Sequence, residues 1–152
     1  MDNKPINSEI YYNLGNAYSI QEKYKEAIKY FVKALKDDPN NSETFYNLGN
    51  SQFMDKQYNE ALLSYESCEK INGISPSLLL MKARTLIEMT EKTETHYEKA
   101  EKILTKLIEK DKNNETYFYV FGNLWEKKGY IKKAIEYYEV INFINDFIFR
   151  WL

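Results

Sequence analysis

The chain contains one cysteine, one histidine, three prolines and five glycines in 152 residues. Cys68 alone cannot form an internal disulfide or a cysteine-based zinc site, and His96 alone cannot form a multi-histidine one. So little glycine and proline excludes an all-β architecture of many tight turns, and also a disordered linker. Positive charge is not in excess either: 21 Lys and Arg stand against 23 Asp and Glu. Residues 1–76 carry 8 basic and 11 acidic side chains and the remainder 13 and 12, so neither half has the surplus that neutralises phosphates. The expectation is no nucleic-acid partner. No apolar run approaches the roughly 20 residues of a bilayer span, and Met1-Asp2-Asn3-Lys4-Pro5 lacks the apolar stretch of a secretory signal. A cytoplasmic protein without membrane insertion is expected. There is no Gly-rich phosphate loop, no metal-spaced cluster and no nucleophile with a histidine at a plausible station, so the chain reads as no enzyme, with no cofactor and no metal.

What is present is a core's worth of apolar residues, 43% of the chain, and an internal repeat. Tyr11-Tyr12-Asn13-Leu14-Gly15-Asn16 recurs 34 residues later as Phe45-Tyr46-Asn47-Leu48-Gly49-Asn50, and more loosely as Phe118-Tyr119-Val120-Phe121-Gly122-Asn123. Tyr24-Lys25-Glu26-Ala27 recurs as Tyr58-Asn59-Glu60-Ala61, Tyr97-Glu98-Lys99-Ala100 and Ile131-Lys132-Lys133-Ala134. A period near 34 combined with i, i+3, i+4, i+7 apolar spacing predicts stacked helical hairpins, two amphipathic helices per unit. The units fall at 8–41, 42–75, 76–114 and 115–148, about eight helices in an all-α fold. Asn7, Asn41, Ser75 and Asn114 each stand one residue before a unit as candidate N-caps. Pro76 suits a first helical position and Pro39 a stop. Gly15, Gly49 and Gly122 lie inside predicted helices, where glycine costs about 1 kcal/mol against alanine; their recurrence in register suggests helices too close for a side chain.

These residues resemble the tetratricopeptide repeat family over roughly 8–148. The first unit supplies Tyr11, Leu14, Gly15, Tyr18, Ala27, Phe31, Ala34 and Pro39 at the family's positions; the second supplies Phe45, Leu48, Gly49, Gln52, Ala61, Tyr65 and Cys68. The fourth gives Phe118, Phe121, Gly122, Trp125, Ala134 and Tyr138. The third departs most, with Leu79, Lys82, Ala83, Leu86, Ala100 and Leu104, and carries five extra residues between Leu86 and Tyr97. The resemblance implies a right-handed α-solenoid of four hairpins acting as a protein-binding scaffold, with first helices lining a concave groove. Carried over, that groove holds Tyr12, Asn13, Asn16, Tyr46, Asn47, Asn50, Phe53, Arg84, Tyr119 and Asn123, with Glu9 and Glu43 beside them. Its asparagines can pair with the peptide units of an extended protein or peptide partner, since each amide both donates and accepts, and its aromatics offer contact area with few rotamers to lose. The alternative is that these asparagines reflect an Asn-rich composition, 15 in all. The family's clamp for acidic chaperone tails uses two asparagines and three basic residues. Asn16 and Asn47 match, but Tyr12, Ser77 and Met81 stand at the basic positions, so that specificity is not expected.

Cys68 reads as a buried, inert core thiol and His96 as a solvated loop residue in the insertion, which lengthens either the first helix of the third unit or its turn, or else contacts a partner. The last ten residues, Phe143–Leu152, include seven apolar ones. Three readings stand open: the segment folds back over the fourth unit; it joins copies of the chain through Phe143, Phe147, Phe149 and Trp151, making a self-associating structural subunit; or residues 149–152 begin a cap belonging to a longer chain.

Overall fold

The structure, a computed structural model, describes residues 6–89 and 94–151, with side chains placed over 7–89 and 94–144. Eight helices follow in order: α1 Ile6–Ile20, α2 Tyr24–Asp37, α3 Ser42–Met54, α4 Tyr58–Asn72, α5 Pro76–Glu88, α6 Glu94–Lys110, α7 Glu115–Lys127 and α8 Ile131–Trp151. The described residues contain no strand. The chain divides into two compact units, the first ending at Met81 and the second beginning at Lys82.

In the first unit α1 packs on α2, α2 on α3 and α3 on α4. Ala27, Phe31 and Ala34 fall at i, i+4, i+7 on α2, so one face of that helix is wholly apolar and buried. Ala27 and Phe31 cluster with Leu48, flanked by Tyr12, Tyr18, Ile28 and Leu35. A second cluster joins Ala61, Tyr65, Cys68 and Leu78, flanked by Phe45, Tyr46, Phe53 and Met81. In the second unit α6 packs on α7 and α7 on α8, burying Leu104 and Leu107 of α6 with Val120, Phe121 and Leu124 of α7.

Glycine sets the closeness of three hairpins. A Cβ built on Gly15 would lie 2.6 Å from the Phe31 ring, and one on Gly49 the same distance from the Tyr65 ring. Gly122 faces Tyr138 in the same way. The ring of the second helix occupies the notch that the missing side chain leaves. The third repeat has Ala83 where the others have glycine and Leu104 where they have a ring, and both are fully buried.

The hairpin turns share a left-handed residue: Glu22 at φ 58°, Lys56 at φ 63° and Gly129 at φ 85°. Each helix closes with a bond from the following N–H, Lys23 N to Tyr18 O, Gln57 N to Gln52 O and Tyr130 N to Trp125 O, at 2.8–3.0 Å. Only glycine adopts this conformation without a Cβ penalty of roughly 1–2 kcal/mol, partly offset by glycine's greater freedom in the unfolded chain. Lys56→Gly is therefore expected to stabilise the protein by about 0.5–1 kcal/mol, read as a higher urea midpoint at unchanged slope.

Of the predicted caps, Asn41 accepts a bond from Thr44 N at 2.9 Å and Ser75 Oγ from Leu78 N at 3.2 Å. Asn114 holds the N-cap position without a side-chain cap bond, and Asn7 lies inside α1 rather than before it. Cys68 is buried, and burial pushes its thiol pKa up, toward the unreactive protonated form. His96 is helical and half-buried rather than a loop residue. The third repeat's extra residues do not lengthen α5, which has 13 residues like α3 and α7. They extend the start of α6, which begins at Glu94, before Tyr97. Residues 90–93 of the insertion lie outside the described residues. The added turn supplies Glu94, whose carboxylate accepts from Lys128 Nζ at 2.7 Å while that ammonium lies 4.8 Å from the Trp125 ring centroid. The bond to Glu94 raises the Lys128 pKa, which keeps the pair charged.

Candidate functional site

In the first unit, α1 and α3 run side by side and bring Tyr12, Asn16 and Asn47 together. Asn47 Nδ2 spends both its protons on α1, one on the Tyr12 hydroxyl and one on Asn16 Oδ1, each at 3.1 Å. The Tyr12 hydroxyl in turn donates to Glu43 Oε1 at 2.6 Å. Burial and the bond to Glu43 raise the Tyr12 pKa, so the phenol stays protonated. Ser51 Oγ donates to Ser19 Oγ at 3.5 Å further along the same pair of helices.

Tyr46 and Asn50 are held differently. The Tyr46 ring tilts on the Tyr65 ring at 5.9 Å between centroids, and Asn50 Oδ1 accepts from the Tyr65 hydroxyl at 2.8 Å. Phe53 meets Tyr58 edge-on at 5.6 Å. The second unit repeats the arrangement: Tyr119 lies 6.0 Å from the Tyr138 ring, and the Tyr138 hydroxyl lies 2.7 Å from Asn123 Oδ1 and 3.0 Å from Glu126 Oε2. Arg84 is exposed on α5. Phe31 has no hydroxyl, which leaves Asn16 Oδ1 for Asn47. The amide row thus serves the fold with one half of most of its groups. Among the described residues Asn47 Oδ1, Asn50 Nδ2 and Asn123 Nδ2 keep no partner, Asn16 also lies in hydrogen-bond contact with Tyr12, and Asn13 is exposed.

Burial and the neighbouring Glu126 carboxylate push the Tyr138 pKa up to about 12. Below about pH 10 the hydroxyl is protonated in folded and unfolded chains alike, and its contribution is fully present. As pH rises from about 10 through about 12 the unfolded chain gives up a proton that the folded one retains, so stability falls. Tyr138→Phe is expected to make the alkaline decline of the urea midpoint shallower than in the wild type, the lysines being common to both.

Beside the Tyr12–Glu43 bond, at the N-terminal ends of α1 and α3, lies a cleft of about 370 Å³ lined by Ser8, Glu9, Tyr12, Asn13, Ala34, Asp38, Asn41, Glu43 and Thr44. Asp38 and Thr44 are not in the sequence-predicted groove. They arrive through the α2–α3 turn, where Asn41 binds both, its Nδ2 donating to Asp38 Oδ2 at 3.3 Å and its Oδ1 accepting from Thr44 N. The sequence signal was the cap itself, which fixes the turn. Among the described residues no three His, Cys, Asp or Glu side chains are grouped to hold a metal ion, and no helix is long and apolar enough to cross a membrane. Phe143 is 71% exposed while Ile144 beside it is buried; the side chains of Phe147, Phe149 and Trp151 lie outside the described residues.

Two tetratricopeptide repeat models match the sequence, at residues 8–41 and 30–62. No curated protein sequence matches the chain. Solved structures do. MamA from Desulfovibrio magneticus RS-1 is similar at 22% identity and TM-score 0.78, over 91% of this chain and 76% of that one. YrrB, described as a TPR protein with an unusual peptide-binding site, is similar at 26% identity and TM-score 0.76, over 94% and 70%. The first TPR of Spaghetti (RPAP3), bound to the HSP90 peptide SRMEEVD, is similar at 20% identity and TM-score 0.61, over 86% and 91%.

Proposed function

We propose that this tetratricopeptide repeat protein is a non-catalytic, cytoplasmic interaction scaffold that holds an extended segment of a partner polypeptide against its first helices. In this reading the four repeats at 8–41, 42–75, 76–114 and 115–148 each contribute one first helix. The observation that carries it is the fixed amide row. Asn47 has both its donors engaged on α1 and Asn50 its acceptor on Tyr65. Their remaining groups are therefore oriented before any ligand arrives, and binding loses little side-chain freedom. Donors at Asn50 and Asn123 suit peptide carbonyls, and the acceptor at Asn47 suits a peptide N–H. Tyr46, Phe53 and Tyr119 supply apolar area next to them, and Arg84 a positive charge.

Selection of a displayed random-peptide library on the immobilised protein tests this. The variant is Asn13→Ala with Tyr46→Ala, which leaves the Tyr12–Asn16–Asn47 bonds intact. Peptides selected on the wild type are expected to bind the folded variant at least tenfold more weakly, about 1.4 kcal/mol. Equal binding to both proteins overturns the reading.

A second reading has its own observation in the 71% exposure of Phe143 on α8. We propose it as the alternative: the chain self-associates through that end, with Phe147, Phe149 and Trp151 as further contacts. Sedimentation across a wide concentration range checks it. A mass that rises with concentration and becomes monomeric in Phe143→Ser supports the reading; a constant monomer mass rejects it.

A further inference from the structure

We infer that a second copy of this chain stacks head to tail on the first, the open face of α8 in one copy receiving the open face of α1 in the next. The inference rests on the self-association reading and names the surface that α8 meets. The two faces are register copies of surfaces that this chain already buries against each other. At one register position α3, α5 and α7 carry Thr44, Leu78 and Tyr117, all buried. Seven residues further on they carry Ser51, Thr85 and Leu124, all fully buried. The same two positions on α1 hold Ile10, which is 50% exposed, and Ala17, also exposed. Residues seven apart lie on one face of a helix, so α1 leaves open the stripe that each later first helix covers.

The second helices supply the counterpart. Phe31 of α2 clusters with Leu48 of α3, and Tyr65 and Cys68 of α4 cluster with Leu78 of α5. Leu104 and Leu107 of α6 are equally buried where that helix packs on α7. The matching residues of α8, Tyr138 and Ile141, are only half-buried, and Ile135 on the same face is 49% exposed. A repeat array whose ends face water carries polar residues on its outermost faces. Here both stripes are apolar: Ile10, Leu14 and Ala17 on α1, and Ile135, Tyr138 and Ile141 on α8. Each is the kind of surface that covers the other elsewhere in the chain, which is what makes a second copy the fitting occupant. A contact between unlike faces leaves one of each kind free on every pair, so it continues from copy to copy.

Sedimentation of two blocked variants and of their mixture tests this. Ile10→Glu with Ala17→Glu blocks the α1 face and Ile135→Glu blocks the α8 face, all at exposed positions. Both variants must match the wild type in helicity and urea midpoint, and Ile10→Gln or Ile135→Gln replaces one that does not. The wild-type mass is expected to rise with concentration. Each variant alone should stay monomeric about tenfold above the concentration at which half the wild type has associated, because its new charge would be buried unpaired. An equimolar mixture of the two should form a one-to-one dimer that grows no further, since one intact α8 face and one intact α1 face remain to join. Either variant associating as the wild type does, or a mixture without a mixed dimer, overturns the inference and leaves the self-association reading to the Phe143→Ser test. A wild type that stays monomeric overturns both.

Discussion

Tyr65→Ala is expected to destabilise the protein by about 3–5 kcal/mol, the usual loss for a large buried aromatic cut to alanine. Tyr65 is fully buried, fills the notch left by Gly49, and donates to Asn50. Its removal opens a cavity, frees Asn50 Oδ1 and takes away the ring on which Tyr46 rests. The same site makes a sharper test with Gly49→Ala. In the wild type the new Cβ would approach the Tyr65 ring to 2.6 Å, and overpacking of about 1–3 kcal/mol outweighs the gain of about 1 kcal/mol in helix propensity. In a Tyr65→Ala or Tyr65→Leu background the notch is open and the propensity gain remains. Gly49→Ala should therefore lower the urea midpoint alone and raise it in the double variant. The same sign in both backgrounds would show that the ring does not require the glycine.

Gln52→Leu carries the second large effect, about 1–3 kcal/mol of destabilisation. At this position the first and fourth repeats have Tyr18 and Trp125, and an apolar side chain looks like the obvious replacement. Gln52 is nevertheless 8% exposed, and its Oε1 accepts from Ser64 Oγ at 2.6 Å. Ser64 is 6% exposed, so leucine strands a buried hydroxyl. The paired change Gln52→Leu with Ser64→Ala removes both polar groups and should recover most of the loss. Chemical denaturation of the four proteins of this cycle measures the coupling directly. Additive effects would mean that Ser64 finds another acceptor in the folded state.

The eight helices and the notch glycines were legible because both depend on periodicities of the sequence. Apolar spacing marks the buried face of α2, and a glycine recurring at one register position in the first, second and fourth repeats marks a close approach in those three hairpins. The site was legible only as a stripe. Spacing places Asn13, Asn16, Asn47 and Asn50 on first-helix faces, but it does not say that Asn47 turns both protons to α1 or that Asn50 is tied to Tyr65. Those bonds depend on the rotation of one helix against another, which no single helix encodes. Asp38 and Thr44 escaped for a related reason: a turn carries them to the cleft. The third repeat's insertion was legible as extra length, whereas its use, an added turn of α6 that brings Glu94 to Lys128, depends on α7.

The glycine notch also bears on how the chain comes to be folded. Partner and notch lie 16 residues apart each time, 15 with 31, 49 with 65 and 122 with 138. Closing so short a loop has a small entropic cost, and chains dominated by such local contacts fold fast. A ribosome adds roughly 5–20 residues per second, far slower than a hairpin closes. The first hairpin can thus set its ring in its notch while the second is still being synthesised, and the growing chain presents few unpaired apolar faces to its neighbours.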